Sequence, residues 1–326
     1  MILAGDVGGT KTQLALYEPG GSPRSPRSQK RLPSRDYPSL EALVGAFVDG
    51  SGVRPSRAVL GIAGPVVDNR CEATNLPWRM SGAEIGAALG GARVTLLNDL
   101  VTTAWGVGEL SPADLATLQP GLPLRGNRAL IAAGTGLGEV IVVRDGERWI
   151  ASASEGGHAD FGSRTPLEDE LLVWMRAKYG RVSYERVLSG HGLADLHRFM
   201  RATGRGEEPA AVATAFDQAA DPAMVVTQSA LEGGCERARL ALELFCDVYG
   251  AEAGNLALKG LAVGGFYVGG GIAPKIQRVI GSGRFIRSFT DKGRLRPVLE
   301  QMPVSLIRDE NTSLWGAARL ALADND

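Results

Sequence analysis

Cysteine and histidine are scarce in this 326-residue chain, and their scarcity removes several readings. Cys71, Cys235 and Cys246 form no C-x-x-C pair, so local motifs build neither a disulfide framework nor a thiolate zinc site, and a reducing compartment is expected. An excess of either charge is also missing. Thirty-five Lys and Arg stand against 36 Asp and Glu, a formal net charge of -1, which argues against whole-surface attraction to nucleic acid or an anionic membrane. The expected partners are small molecules. No apolar run approaches the roughly 20 residues that span a bilayer. Met1-Ile2-Leu3-Ala4 lacks the basic and apolar regions of a signal peptide. A soluble, unexported, cytoplasmic protein is expected.

Glycine is abundant instead, at 44 residues, and its clusters matter where backbone must approach a ligand. Gly5-Asp6-Val7-Gly8-Gly9-Thr10 lies between the apolar Ile2-Leu3-Ala4 and Leu14-Ala15-Leu16; Gly134-Thr135-Gly136-Leu137-Gly138 lies between Ala129 to Ala133 and Val140 to Val143. Each turn leads into a strand, so both read as β-hairpins, one in each of two lobes, facing each other across a cleft. The length also suits two lobes. The third cluster, Gly269-Gly270-Gly271, follows Phe266-Tyr267-Val268 and precedes a helix in whose first turn Pro274 is expected. Further helices are expected after Ser39, after Thr165 in capping-box form, and from Ala238 to Leu258 with interruptions near Gly250 and Gly254. The basic stretch from Pro19 to Arg35 reads as a solvated hairpin loop rather than a polyanion site. The crossing between lobes is placed around Trp105 to Leu110.

Gly5 to Thr12 nearly matches a P-loop, but Thr10 stands where that pattern has glycine and a strand follows. The alternative is an anion-binding concavity of backbone amides, with Thr10 adding a hydroxyl. An acid beside phosphate, Asp6, points to Mg²⁺ held directly or through water. Asn98-Asp99 follows Val94 to Leu97 and so sits at the carboxyl end of a strand; the pair is either a helix N-cap or the place of a general base. Glu155-Gly156-Gly157-His158 joins an acid and an imidazole suited to neighbouring sugar hydroxyls, with glycines letting backbone crowd the ring. Glu185 reads by itself as an acid in the first turn of a helix. His191 and His197 are assigned to surface or helix positions without function.

Together with Thr74-Asn75-Leu76-Pro77-Trp78, Asp160-Phe161 and Glu185 to Gly190, these motifs are similar to those of bacterial glucokinases in the hexokinase, actin and heat-shock-protein ATPase superfamily. The resemblance spans nearly the whole chain. It implies a two-lobed, actin-like (ribonuclease H-like) α/β fold: a small α/β lobe of residues 1–109, rejoined by about 303–326, and a larger α+β lobe of 110–302 around a cleft. It implies ATP and Mg²⁺ as cofactors, glucose as substrate and a homodimer. Asp99 matches the general base for the sugar 6-hydroxyl. Asn98, Glu155, His158 and Glu185 match the residues that hold the other hydroxyls. Gly5, Asp6, Val7, Gly8, Gly9, Thr10, Thr135, Gly136, Gly269, Gly270 and Gly271 match nucleotide contacts. The cysteine-rich zinc motif of the related repressor, open-reading-frame and kinase group is missing, and no structural zinc is expected. A kinase for mannose, fructose or an amino sugar, and a non-catalytic sugar or ATP sensor, are the alternative readings.

Overall fold

The computed structural model describes residues 1–72, 76–122 and 124–323; Thr74 and Asn75 of the Thr74 to Trp78 motif lie outside the described residues. Contacts divide the chain into one unit of Met1–Asp114, Ala151–Ala153 and Asp309–Asp326 and a second of Leu115–Ile150 and Ser154–Arg308.

The first unit is built on β1 (Ile2–Val7), β2 (Lys11–Tyr17), β3 (Ser28–Pro33), β4 (Arg57–Ile62) and β7 (Arg93–Asn98), in the order β3-β2-β1-β4-β7, beside the small pair β5 (Arg70–Glu72) and β6 (Arg79–Ser81). β1 is antiparallel to β2 and parallel to β4, and β4 is parallel to β7. Alternation along β1 and β2 sends side chains to two faces. Leu3, Val7, Leu14 and Leu16 pack with the helix Leu40–Ser51 through Leu40, Leu43, Val44 and Phe47. Ala4, Ala15 and Tyr17 turn the other way, toward Leu314, Ala317, Ala318 and Ala321 of the helix Thr312–Leu322. Small residues on this second face let the last helix lie close to the sheet. Ser39 caps the first of these helices, its hydroxyl accepting from Ala42 N at 3.2 Å, as its position predicts.

The Pro19 to Arg35 stretch is only partly a loop. Ser28–Pro33 forms the edge strand β3, paired with β2 from Lys11↔Pro33 to Leu16↔Ser28. Its basic side chains find acids nearby: Arg24 bonds Asp114, Arg27 bonds Glu18 at 2.8 Å, and Arg31 bonds Glu310 at 3.1 Å. A polar edge strand with adjacent basic residues, Lys30 and Arg31, looks like a loop in sequence, and its charges also resist unwanted strand pairing.

A second sheet is built from β8 (Leu115–Gln119), β9 (Arg128–Ala133), β10 (Leu137–Asp145), β11 (Arg148–Ser154), β12 (Phe266–Gly269) and β13 (Val304–Ile307) in the order β11-β10-β9-β12-β13-β8, all in the second unit but for Ala151–Ala153 of β11. Because β13 belongs to this sheet, the chain returns to the first unit at Asp309 and not near residue 303. The first crossing falls at Asp114, past the expected Trp105 to Leu110, since Val107–Glu109 still packs with the first unit. Thr165 caps the helix Pro166–Tyr179 by accepting from Glu168 N at 3.2 Å.

Two helix expectations fail. Glu236–Gly260 is one uninterrupted helix; Gly250 and Gly254 do not break it, because their bare faces receive the carbonyls of Phe285 and Phe289 from the neighbouring helix Phe285–Thr290. No helix begins at Pro274 either. After Gly270, at φ +83°, the chain runs through turns to Ile276, and the helix starts only at Gln277, passing through the wider turn Ile280–Arg284, kinked at Gly283, into Phe285–Thr290.

Candidate active site

In the first unit, Gly5, Asp6 and Val7 are strand residues rather than turn residues: β1 pairs with β2 through Val7↔Thr12. The turn proper is Gly8 to Lys11, closed by Gly8 N donating to Lys11 O at 3.0 Å. Ser34 fixes it from outside, its hydroxyl donating to Gly8 O at 2.7 Å and its amide to Thr10 O at 3.1 Å. With those carbonyls taken, the turn can present amides of Gly9 and Thr10 to an anion. Among the described residues neither amide has a protein acceptor.

Asp6 lies in β1 just before this turn and accepts from the Ser313 hydroxyl at 2.8 Å. Burial pushes its carboxyl up from the ordinary aspartate range, against the opposing pull of Ser313, Lys11 and Arg31. Lys11 is itself paired with Glu310 at 2.9 Å. Among the described residues no group of three or more His, Cys, Asp or Glu could hold a metal. One carboxylate beside a phosphate cradle nevertheless fits Mg²⁺, which keeps most of its water and takes one or two carboxylates plus substrate phosphates.

Asn98 and Asp99 sit where β7 ends and the helix Asp99–Gly106 begins. Asn98 is the N-cap, its side-chain oxygen accepting from Leu100 N at 2.9 Å while its amide donates to Gly64 O at 3.2 Å. Capping thus describes Asn98 correctly and Asp99 incorrectly, since Asp99 is the first helical residue. Its carbonyl accepts from the hydroxyls of Thr102 and Thr103, both at 2.8 Å.

In the second unit, Glu155, His158 and Glu185 come together. The loop after β11 and the turn before the helix Tyr184–Val187 run side by side: Phe161 N donates to Val182 O at 3.0 Å and Tyr184 N to Ala159 O at 3.0 Å. Ser183 caps that helix, and Arg181 donates to His158 O at 2.7 Å. The result places His158 Nε2 3.9 Å from Glu155 Oε2 and His158 Nδ1 3.9 Å from Glu185 Oε1. Both gaps are too long for a direct hydrogen bond. They are the right width for a hydroxyl seated between imidazole and carboxylate and bonded to each.

Glu185 has a second attachment. Its Oε2 accepts from Leu137 N at 3.0 Å, the first residue after the turn Gly134-Thr135-Gly136, which joins β9 to β10 across Ala133↔Leu137. That turn is held by Gly134 N donating to Gly136 O at 2.8 Å, and by Gly190 N donating to Gly134 O at 2.9 Å. Gly269 ends β12 next to β9, and Ile272 N donates to Ala133 O at 3.2 Å, so the second and third glycine clusters are neighbours. His197, by contrast, is a core residue of the helix Gly190–Ala202, its ring centred 4.4 Å from that of Phe216 and tilted 39° to it.

Sequence reasoning missed Glu139. A Cβ on Gly156 would meet Glu139 Oε2 at 2.2 Å, and one on Gly157 would meet Leu137 O at 2.1 Å. The paired glycines therefore let the Glu155 to His158 loop press onto β10, with Glu139 beneath it. Burial pushes Glu139 up to about 7, with the negative Glu252 adding to the rise and Lys259 opposing it. A folded-state value above the unfolded one means that the folded form holds the proton more tightly. This contribution to stability is whole below about pH 4.5 and is lost as pH rises through about 7. Glu139→Gln should remove that loss. In denaturant titrations we expect the variant to gain roughly 2–3 kcal/mol over the parent at pH 8 and almost nothing at pH 4.5; an equal difference at both pH values would refute the assignment.

A family model described as glucokinase matches residues 3–324. A glucokinase of Synechocystis sp. is 40% identical, the match covering 97% of this chain and 96% of that protein. The crystal structure of a glucokinase from an Antarctic psychrotroph superposes with a TM-score of 0.83 at 30% identity, covering 98% of each chain. That of a Balamuthia mandrillaris glucokinase, in complex with glucose, gives 0.82 at 20% identity, covering 99% of this chain and 93% of the other. The expected α/β sugar-kinase fold is thereby shared.

Proposed function

The chain belongs to the glucokinase family, and we propose that it transfers the γ-phosphoryl group of ATP to the 6-hydroxyl of D-glucose. The observation that carries this reading is the His158 imidazole set between the Glu155 and Glu185 carboxylates at 3.9 Å from each. That spacing suits adjacent equatorial hydroxyls, which can donate to a carboxylate and accept from, or donate to, an imidazole nitrogen. Asn98 serves a further hydroxyl.

Phosphoryl transfer asks little covalent chemistry of the protein beyond alignment and charge stabilisation. The 6-oxygen attacks the γ-phosphorus as the bond to the β,γ-bridging oxygen breaks, so ADP leaves with the bond's electron pair. The hydroxyl proton passes to the Asp99 carboxylate, which also aims the oxygen in line. Amides of the Gly8 to Lys11 turn hold nucleotide phosphate, as do Thr135, Gly136 and the Gly269 to Gly271 cluster. Gly5 and Val7 act through the strand that carries the turn. Asp6 is the carboxylate that would hold Mg²⁺ bound with the nucleotide, and the ion would neutralise phosphate charge there. On the same reading the protein is cytoplasmic and a homodimer. Light scattering at a mass near that of a single 34.3 kDa chain would overturn the dimer.

A steady-state comparison of glucose, mannose, fructose and glucosamine, each with ATP or polyphosphate, tests the assignment. Glucose with ATP should give the highest kcat/KM. ADP release independent of any added sugar would sink the kinase reading in favour of an actin-like, ATP-hydrolysing scaffold.

A further inference from the structure

Behind Asp6 runs a line of hydroxyls that no sequence motif marks. Ser313 Oγ lies 2.8 Å from Asp6 Oδ1 and 2.8 Å from Thr102 Oγ1, and Thr102 Oγ1 lies 2.8 Å from the carbonyl oxygen of Asp99. All four residues belong to the first unit. Thr102 is fully buried and Ser313 nearly so, so solvent offers little replacement for a lost partner. The line exists because two helices touch at bare glycines: Gly106 abuts Thr312 O, and Gly316 abuts Thr102 O.

Two hydroxyl protons serve the three contacts, so their direction is restricted. An ionised Asp6 only accepts, and Ser313 must donate to it. Ser313 then has lone pairs to offer and Thr102 can donate to it. Thr102 can turn from Asp99 without stranding that carbonyl, because Thr103 Oγ1 donates to the same oxygen at 2.8 Å. The resulting chain of donors, Thr102 to Ser313 to Asp6, points at one carboxylate oxygen. Bonds of this kind to a charged acceptor are stronger than neutral ones, and aligned hydroxyls polarise each other.

We infer that Ser313 and Thr102 are positioning residues for the phosphoryl donor: this chain of donors holds the Asp6 carboxylate in the orientation that receives the metal-bound nucleotide. This inference rests on the assignment of Asp6 to the nucleotide's metal. The restraint acts through Asp6, so the loss should fall on metal-loaded nucleotide and spare metal-free nucleotide and glucose.

The test is calorimetric binding of the non-hydrolysable β,γ-imido analogue of ATP to the full chain, with Mg²⁺ and with a chelator, and of glucose alone. Ser313→Ala should weaken binding of the Mg²⁺-loaded analogue about tenfold, while the chelated analogue and glucose stay within about twofold of the parent. Thr102→Val should weaken it about threefold and Thr102→Ser should restore it, which separates loss of the hydroxyl from loss of packing. Thermal melts establish that each variant is folded. Equal weakening with and without Mg²⁺, or a folded Ser313→Ala that binds the loaded analogue like the parent, overturns the inference. If the parent itself binds loaded and chelated analogue equally, the assignment of Asp6 fails instead.

Discussion

Asp99→Asn is expected to lower kcat by about 10²- to 10⁴-fold, the usual contribution of a positioned base, while the KM for glucose changes only a few-fold. Asparagine preserves size and can still bond a hydroxyl, but it cannot take a proton. Its neighbours also argue for an intact fold. The cap that starts the helix belongs to Asn98, and the threonine hydroxyls bind the Asp99 main chain. A coupled assay for sugar phosphate, run with glucose binding measured independently, separates the two parameters. Turnover within tenfold of the parent would remove Asp99 from the role of base. A large rise in KM with kcat unchanged would make it a binding residue only.

Gly316→Ala is expected to be the most damaging single methyl in the first unit. A Cβ there would stand 1.7 Å from Thr102 O and 2.6 Å from Gly106 N. Both are backbone atoms, which cannot swing aside as a side-chain end can. In an exposed helix the same change stabilises by up to about 1 kcal/mol. Here the crossing must open along its length, separating the Thr102 and Ser313 hydroxyls and lifting Leu314, Ala317 and Ala318 off the sheet. We expect a net loss of about 3 kcal/mol or more, seen as a lower denaturation midpoint, with weakened nucleotide binding in whatever remains folded. A midpoint equal to the parent's would mean that the two helices part without cost.

Much of this was legible from residue order because the physics was local. Glycine turns between apolar runs specified the hairpins β1–β2 and β9–β10, and Ser39 and Thr165 marked helix starts through bonds only three residues long. The end of β7 placed Asn98 and Asp99 for the same reason. The misreadings have one cause, which is that the deciding contact was distant. Gly250 and Gly254 look like helix breakers until the Phe285 and Phe289 carbonyls are found against them. Polar β3 looks like a loop until β2 supplies its ladder. Glu185 could be grouped with Glu155 and His158 only by resemblance, since a backbone bond between Ala159 and Tyr184 joins their segments. Ser313 was invisible because 307 positions separate it from Asp6. Glu139 went unmarked because nothing near it in sequence announces Glu252.

The last helix of the first unit, Thr312–Leu322, also orders events in time. It covers Ala4, Ala15, Tyr17 and Val59, yet a ribosome makes it after every element it packs against. Residues 115–150 and 154–308 are nearly contiguous and can assemble as they emerge. The face of β1, β2 and β4 that this helix covers instead waits until Thr312–Leu322 has been made. A nascent chain therefore carries β1, β2 and β4 without that cover while residues 115–308 are being made. That is where a chaperone would be needed and where a stalled or clipped product would aggregate.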